Sequence, residues 1–402
     1  MFNFDEIIER RGTSSLKYDF AVKRGKPEDI LPFWVADMDF KSPPAVLEAL
    51  SHRICHGVFG YSNSADEGYF KALFNWYQSR FGWEPRPEWL VKTPGVVFAI
   101  CTAIRALTKQ GDAVIIQQPV YYPFEEAVKA NDRHLIINQL IYTEGRYHMN
   151  IAEFERQIIE HQVRLFILCS PHNPVGRVWT KEELTALGDV CVRHGVYVIS
   201  DEIHADFVYS PYRHLVFAGL KPEYADLTVM CTSPSKTFNL AGLQISNIFI
   251  KDAKIRRLFC GEIQKTGYAQ PNLMGLLACQ AAYEQGTQWL EKLKLYLAEN
   301  LELVRKFLQE ELPVIRLVEP EGTYLVWLDC SALGISDQEL DELLMQKAGI
   351  WLDAGSMFGA GGQGFQRINI AVPRPVLQQG LDRLKRAVAF RQSDGKRNCI
   401  II

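Results

Sequence analysis

The chain has 402 residues, enough for one large α/β domain with a smaller companion, and its 48% hydrophobic and 23% charged residues are typical of a compact globular protein rather than a disordered one. The formal net charge of −3 excludes a whole-molecule attraction for nucleic acid or for an anionic membrane. No apolar run approaches the ~18 residues that span a bilayer, and no secretory signal pattern opens the sequence. We therefore expect a cytoplasmic protein with no nucleic-acid or membrane partner.

The nine cysteines are scattered, odd in number and without a CxxC pair. This distribution is typical of buried free thiols in a reducing compartment, and it predicts no metal site. Residues 399–402, with the sequence CIII, have the shape of a prenylation box. Four-residue patterns of this kind also arise by chance, so the pattern alone assigns no lipid anchor.

Apolar, β-rich runs alternate with amphipathic stretches from about residue 90. The strand-like runs lie at residues 112–119, 164–171, 197–203, 227–236 and 246–251, and one of the helical stretches lies at residues 181–193. Apolar strands separated by helices predict a mostly parallel sheet that is buried on both faces. The fold class is therefore α/β.

A second unit follows this alternating region. Residues 285–307 predict one long helix with few breakers, followed by strand-like runs at residues 314–330 and 365–374 and a helix near residues 338–346. This pattern predicts a smaller α+β domain. We assign residues 50–285 to the large domain, and residues 1–49 and 286–402 to the small domain.

Polar motifs accompany the predicted strands, and the first two in chain order suit a phosphate and a polar ligand. Residues 93–97, TPGVV, open a helix behind Gly95, which leaves bare backbone N–H groups at the positive end of the helix dipole. Residues 170–176, SPHNPVG, form a turn rigidified by two prolines that presents the side chain of Asn173. Each motif alone is also an ordinary turn or helix start.

The next two motifs carry an acid and an amine. Asp201 ends the apolar run YVISD, where a carboxylate is costly to bury without a partner, although a helix N-cap would also explain it. Lys236 follows the run LTVMCT within Ser-Pro-Ser-Lys-Thr, a setting that suits a Schiff-base lysine with a neutral amine, or else a solvated loop lysine. Because open parallel sheets bind ligands at the carboxyl ends of their strands, the four motifs together predict one site.

These motifs, with Pro119-Val120-Tyr121, Tyr61 and Arg367, follow a recognisable order along the chain. The chain resembles the fold-type I pyridoxal 5′-phosphate (PLP) enzymes, the aspartate aminotransferase-like superfamily, over about residues 30–390. The resemblance implies a mostly parallel, seven-stranded-type sheet between helices in the large domain, and PLP as the cofactor. It also implies an amino-acid substrate and a homodimer whose active site is shared between the subunits.

The resemblance assigns a role to each motif residue. Lys236 would form the Schiff base and Asp201 would pair with the pyridine nitrogen. Tyr61 would reach the cofactor phosphate of the neighbouring subunit. Arg367 would grip the substrate α-carboxylate with its guanidinium fork, and Ala36 would lie beside the substrate. The other predicted cofactor contacts are Tyr121 stacked on the ring, Asn173 and His204 near the ring oxygen, and Gly95, Val96, Val97, Ser233 and Ser235 around the phosphate.

Three local features resemble the MalY/PatB branch of cystathionine β-lyases and cysteine-S-conjugate β-lyases. They are residues 34–39 (WVADMD), His204 where aminotransferases usually have a tyrosine, and Gln244 where they commonly have a phosphate-binding arginine. His204 could otherwise be a helix-start residue facing solvent. This branch implies a carbon–sulfur β-lyase that cleaves cystathionine or related cysteine S-conjugates to pyruvate, ammonia and a thiol. The alternatives are a class I/II aminotransferase and a non-catalytic or regulatory binding protein.

Overall fold

The computed structural model describes residues 2–63 and 66–398. The pattern that begins at Cys399 lies outside these residues, and the eight described cysteines are free thiols. The strands are β1 Leu31–Pro32, β2 Leu90–Thr93, β3 Ala113–Gln118, β4 His134–Gln139, β5 Ile141–Thr143, β6 Arg146–His148, β7 Leu165–Cys169, β8 Tyr197–Asp201, β9 Thr228–Thr232, β10 Ser246–Phe249, β11 Arg316–Val318, β12 Leu325–Asp329, β13 Ile350–Trp351, β14 Asp353–Ala354 and β15 Phe365–Asn369.

Helices surround these strands. They are α1 Pro44–His56, α2 Glu67–Phe81, α3 Val96–Leu107, α4 Pro123–Ala130, α5 Ile151–His161, α6 Lys181–His194, α7 Phe217–Leu220, α8 Pro222–Ala225, α9 Pro234–Thr237, α10 Ala253–Lys265, α11 Leu273–Gln285, α12 Thr287–Glu311, α13 Asp337–Glu342 and α14 Arg374–Asn398. Among the described residues, no helix is both long and apolar enough to cross a membrane.

A seven-stranded sheet with the order β2-β10-β9-β8-β7-β3-β4 forms the centre of the fold. Every pairing is parallel except those of β10, which runs antiparallel to both of its neighbours. The predicted α/β class with a mostly parallel sheet is therefore confirmed. The carboxyl ends of β7, β8 and β9 meet at one edge, as the strand-end motifs require.

The central strands are buried on both faces because helices cover each face. Every residue of β3, β7 and β9 is buried. Successive residues enter opposite cores: Ile115 packs in the cluster that includes α5 and α6, and Ile116 packs in the cluster that includes α3 and α10. Continuous apolar runs rather than alternating ones are the expected consequence.

Local signals fix the limits of α6, which was predicted at residues 181–193. The side chain of Thr180 accepts from the N–H of Glu183, and the Glu183 side chain reciprocates in a capping box. Gly195 then ends the helix with a left-handed φ of 64°. The helix therefore spans Lys181–His194 and delivers the chain to β8, which carries Asp201.

The second sheet, β11-β12-β15-β14, is antiparallel, and the N-terminal segment joins it. Strand β1 pairs in parallel with β13, and the N–H of Phe33 donates to the carbonyl of Trp351 at 2.8 Å. The N–H of Asn369 donates to the carbonyl of Phe33 at 2.9 Å. These bonds place residues 34–39 against β15, the strand of Arg367.

Two helix limits differ from the predicted ones. The predicted helix at residues 285–307 is α12, Thr287–Glu311, and Gly286 separates it from α11. A Cβ at Gly286 would stand 2.4 Å from the Phe238 ring, so close packing explains why glycine occupies this position. The helix predicted at residues 338–346 is α13 followed by a π-helical turn, Leu343–Ala348.

Candidate active site

Lys236 lies directly after β9, on the one-turn helix α9. The side chain of Ser233 accepts from the N–H of Ser235 at 3.1 Å and starts this turn. Nζ of Lys236 donates to the carbonyl of Ala36 at 2.8 Å. Burial lowers the pKa of Lys236 to about 8, against the opposing charge of Asp37. The amine is therefore partly neutral near neutral pH, which suits a nucleophile and a base.

Asp201 ends β8, and Cys169 and Cys231 lie opposite it on the neighbouring strands. The residue is 5% exposed, and its side chain accepts from the N–H of Ile203 at 3.2 Å. Burial raises the pKa of Asp201 to about 7. Among the described residues Asp201 has no ion-pair partner, so a cationic group placed there would stabilise the ionised carboxylate.

The turn at residues 170–176 is tied to the loop that carries Tyr121. The N–H of Tyr121 donates to the carbonyl of Asn173 at 3.0 Å, and Nε2 of His172 is 2.8 Å from the carbonyl of Pro119. Oδ1 of Asn173 accepts from Nη1 of Arg367 at 2.8 Å. Among the described residues, Nδ2 of Asn173 has no acceptor and is left to donate to a ligand.

Arg367 is buried, with 3% of its surface exposed, and one carboxylate compensates its positive charge. Its guanidinium forms an ion pair with Asp353, and Nη2 donates to the carbonyl of Trp34 at 2.9 Å. Nε is buried without a partner among the described residues. The guanidinium thus keeps a donor for a substrate carboxylate while its position is fixed from three sides.

The N-terminus of α3 is open to a ligand. No heavy atom lies within 4 Å of the place where a Cβ of Gly95 would stand, and the helix begins at Val96 without a side-chain cap. Its first backbone N–H groups therefore have no partner within the helix. The Val97 side chain is 40% exposed. The Ser233 hydroxyl lies 2.5 Å from that of Ser235 and donates to a backbone carbonyl.

Tyr61 lies on the surface, 97% exposed, in the irregular segment that follows α1. Three apolar side chains before it, Ile54, Val58 and Phe59, are between 58% and 61% exposed. Among the described residues Tyr61 makes no hydrogen bond or ring contact. The structure does not bring it to the other site residues of its own chain, and its role in a neighbouring subunit stays a prediction.

His204 is buried, 4% exposed, so the alternative of a solvent-facing helix start is wrong. Its ring lies 6.0 Å from the ring of Tyr324, and Nδ1 has no partner among the described residues. Burial lowers the pKa of His204 to about 3, and the charges of Lys236 and Arg367 act in the same direction. The imidazole is therefore neutral at physiological pH.

Sequence reasoning missed two residues of the site. The Tyr324 hydroxyl donates to the carbonyl of Ala36 at 3.0 Å, the same carbonyl that accepts from Lys236. The sequence feature that could have indicated Tyr324 is a tyrosine at the start of a buried apolar strand, because a buried phenol needs a hydrogen-bond partner. Asp353, the ion-pair partner of Arg367, lies on a two-residue strand that produces no periodic pattern.

The arrangement fits PLP part by part. The open N-terminus of α3 suits a phosphate, and the buried carboxylate of Asp201 suits a protonated ring nitrogen. Nδ2 of Asn173 is free to donate to a ring oxygen, and the amine of Lys236 is suited to bind a carbonyl carbon. Together, the fold and this set of groups define a site that can hold an amino acid by its carboxylate and remove its α-proton.

The comparison with known families agrees with this class. Residues 28–384 match the family described as aminotransferase class I and II. The chain therefore belongs to this family.

Individual relatives extend along almost the whole chain. It is 43% identical to cystathionine beta-lyase PatB of Bacillus subtilis (strain 168), over 96% of this chain and 100% of the relative. The crystal structure of cystalysin from Treponema denticola, which contains a PLP cofactor, is similar with a TM-score of 0.93 and 37% identity, over 97% of this chain and 99% of that one. The PLP-bound C-S lyase from Staphylococcus hominis has a TM-score of 0.90 and 34% identity, over 96% and 98%.

Proposed function

We propose that the chain is a PLP-dependent carbon–sulfur β-lyase that cleaves cystathionine or a related cysteine S-conjugate to pyruvate, ammonia and a thiol. The observation that carries this proposal is the 43% identity, across the full length of the relative, to a protein named cystathionine beta-lyase. Solved structures named as a PLP-bound C-S lyase and as PLP-containing cystalysin support the cofactor. The geometry of the site also supports the cofactor, because each part of PLP has a matching group.

The residues of the chain would hold substrate and cofactor in fixed positions. When bound, PLP would supply an electron-withdrawing ring that acidifies the α-carbon of an attached amino acid. Arg367 binds the α-carboxylate of the substrate. Asp201 would form an ion pair with the protonated ring nitrogen and keep that nitrogen protonated, and Asn173 would donate to the ring oxygen through Nδ2.

Lys236 moves the proton. With a pKa of about 8, roughly a tenth of the amine is neutral at pH 7, and this fraction can take the α-proton. The Ala36 carbonyl, which accepts from both Nζ of Lys236 and the hydroxyl of Tyr324, orients the amine. The neutral imidazole of His204 does not add a positive charge beside the lysine. The electron pair left by the α-proton then expels a thiolate from the β-carbon, and water converts the remaining three-carbon unit to pyruvate and ammonia.

An aminotransferase is the second candidate, and the description of the family itself favours it. Both reactions need Arg367 to bind the substrate carboxylate, the buried acid Asp201 and the amine of Lys236. They differ only after the α-proton has been removed, when either the β-substituent departs or the proton is returned elsewhere. The residues described above are compatible with both, and the named relatives favour the lyase.

We further propose a homodimer in the cytoplasm that acts on an amino-acid substrate. The exposed apolar side chains Val58 and Phe59, next to the exposed Tyr61, support a surface that a second copy covers. A tyrosine carried on such a surface can enter the site of the other subunit. The eight free cysteines among the described residues agree with a reducing compartment.

Product analysis tests the function. Purified, PLP-loaded protein is incubated with cystathionine alone, and in parallel with an amino acid plus 2-oxoglutarate. The lyase proposal expects pyruvate in the first reaction without any added keto acid. Rapid formation of glutamate in the second reaction, with no pyruvate in the first, would replace the lyase with the aminotransferase.

A further inference from the structure

Arg24 is an exposed cation without a carboxylate partner. It ends the 3₁₀ turn Val22–Arg24, and its guanidinium carbon lies 5.0 Å from the centroid of the Trp34 ring. Among the described residues its side chain forms no ion pair and no hydrogen bond. A guanidinium stacked on an aromatic face keeps its in-plane N–H donors available while the ring limits its motion.

Trp34 connects Arg24 to the substrate-binding arginine. The carbonyl of Trp34 accepts from Nη2 of Arg367 at 2.9 Å. The indole stacks on that of Trp351, with centroids 4.3 Å apart and planes 12° from parallel. Trp351 ends the strand two residues before Asp353, which forms the ion pair with Arg367. Arg24 therefore stacks on the side chain of Trp34, and the backbone carbonyl of Trp34 helps to hold Arg367 in place.

Tyr122 is connected to the substrate-binding arginine through the ring of Phe358. Its ring lies 6.0 Å from that of Phe358, and the guanidinium carbon of Arg367 lies 4.9 Å from the Phe358 centroid. Among the described residues the Tyr122 hydroxyl has no hydrogen-bond partner. Burial raises the pKa of this hydroxyl, and among the charges that act on it are Asp353, which raises it, and Arg24, which lowers it. Both unpartnered groups are therefore connected to the guanidinium of Arg367, Arg24 through Trp34 and Tyr122 through Phe358.

Exposure increases along this set of residues. Arg367 is 3% exposed, Tyr122 is partly buried, and Arg24 is exposed. A substrate whose α-carboxylate lies on Arg367 has to extend its side chain away from this buried end. The open end offers one stacked guanidinium and one phenol, which together can donate to a carboxylate.

We infer that Arg24, with the Tyr122 hydroxyl as a second donor, forms a subsite for an anionic group at the far end of the substrate's sulfur substituent. The inference rests on the proposed lyase function and deepens it by naming a substrate class: cysteine S-conjugates that end in a carboxylate, of which cystathionine is one. Conjugates that end in an alkyl group use the same catalytic residues and gain nothing from Arg24.

Two substrates with the same carbon-chain length separate this effect from the chemistry. S-(2-carboxyethyl)-L-cysteine and S-propyl-L-cysteine differ only in the terminal group, and kcat and KM are measured for both. In Arg24→Gln the KM for the carboxylate substrate rises about tenfold, as expected for a lost charge-assisted fork, while its kcat and both constants for the propyl substrate stay within about twofold. Arg24→Lys keeps the charge without the fork and recovers part of the loss.

Lys23→Gln is the matched control. Lys23 precedes Arg24 on the same turn and carries the same charge, but its amine lies 5.5 Å from the Phe20 ring instead. A general electrostatic effect of the turn would appear equally in both variants. Lys23→Gln should leave the preference between the carboxylate and propyl substrates unchanged. Equal losses for both substrates in Arg24→Gln, or no loss for either, overturn it.

A binding measurement keeps this test independent of the lyase reaction. L-2-aminopimelate and L-2-aminoheptanoate are the carbon analogues of the two substrates and have no thiolate to release. Calorimetric titration of the PLP-loaded protein gives their Kd values. Arg24→Gln should remove the preference for the dicarboxylate while binding of the neutral analogue is unchanged. If no substrate yields pyruvate, the lyase proposal fails, and the Kd ratio still decides the role of Arg24.

Discussion

Lys236 and Asp201 have pKa values displaced in opposite directions, and burial is the first cause of both displacements. Each group is thereby brought close to the pH at which it has to work. A lysine that is partly neutral can attack a carbonyl or accept a proton, and a carboxylate that resists ionisation is stabilised when a cation is bound beside it. Burial at the strand ends thus gives both groups the protonation behaviour that the proposed function requires.

Replacing the lysine tests its covalent role. Lys236→Ala should abolish turnover and leave no PLP that borohydride fixes to the protein, because the variant lacks the amine that bonds the cofactor. Reduction followed by peptide mapping is the measurement. Lys265→Ala, at a side chain that is 72% exposed, is the control and should keep the labelled peptide. PLP fixed at another lysine of Lys236→Ala would show that the assignment is wrong.

The raised pKa of Asp201 predicts how the stability of the PLP-free protein depends on pH. The native state holds this proton more tightly than the unfolded chain, so the contribution is present below the ordinary pKa of 3.8 and is lost as pH rises toward about 7. Relative to Asp201→Asn, the free energy of unfolding of the wild type should therefore fall by on the order of 2 kcal/mol between pH 5 and pH 8.

Urea unfolding of both PLP-free proteins at the two pH values measures this difference. The stability of Asp201→Asn relative to wild type should increase from pH 5 to pH 8. The PLP-bound wild type should not show the same loss, because the cofactor supplies the missing positive charge. If the difference in free energy of unfolding between variant and wild type stays constant with pH, the pKa of Asp201 is not raised in the folded protein.

At the scale of elements, the carboxyl ends of parallel strands were the features that sequence could predict. Asp201 and Lys236 follow buried apolar runs directly, so the strand pattern alone places them at one edge. Arg24 and Asp353 could not be found this way. Their positions depend on the pairing of β1 with β13 and on a two-residue strand, and contacts between distant short segments leave no periodicity in the sequence.

A buried ion pair joins the turn at residues 170–178 to the turn before β12. Oε2 of Glu321 accepts from Nε of Arg177 at 2.9 Å and from the N–H of Val178 at 2.8 Å. Oε1 accepts from Nη2 of Arg146 at 2.6 Å. Through this carboxylate the turn that presents Asn173 and the strand that begins beside Tyr324 keep a fixed separation.

Glu321→Gln should therefore be costly, because it removes the buried carboxylate and leaves Arg177 with the partly exposed Glu183 as its remaining ion-pair partner. We expect a loss of about 2 kcal/mol in the free energy of unfolding. Glu319→Gln, two residues away in an exposed pair with Arg305, should cost at most about 1 kcal/mol. Chemical denaturation of both variants checks this, and equal, small losses would contradict the structural role of Glu321.

At the scale of the whole molecule, the site needs both sheets and the N-terminal segment. Asp201 and Lys236 are supplied at the edge of the seven-stranded sheet, Arg367 by the four-stranded sheet, and Ala36 by the segment between them. The domain limits at residues 50–285, 1–49 and 286–402 stay a prediction. They are consistent with a site whose parts come from both units.

A mixed dimer tests whether Tyr61 acts in the other subunit. Lys236→Ala and Tyr61→Phe are each expected to have low activity. If the site is shared, a heterodimer has one intact site, so an equal mixture refolded together should recover up to about a quarter of wild-type activity. If Tyr61 worked in its own subunit, or not at all, mixing would restore nothing beyond the average of the two parents.

The stoichiometry of a single reaction tests the central claim most directly. Cystathionine is supplied in large excess over PLP-loaded protein with no keto acid present, and pyruvate, ammonia and free thiol are measured together over time. A lyase forms the three products in equal amounts and continues far beyond one equivalent per active site. Absence of these three products, with consumption of cystathionine that stops at one equivalent per active site and resumes only when 2-oxoglutarate is added, would contradict the proposed function.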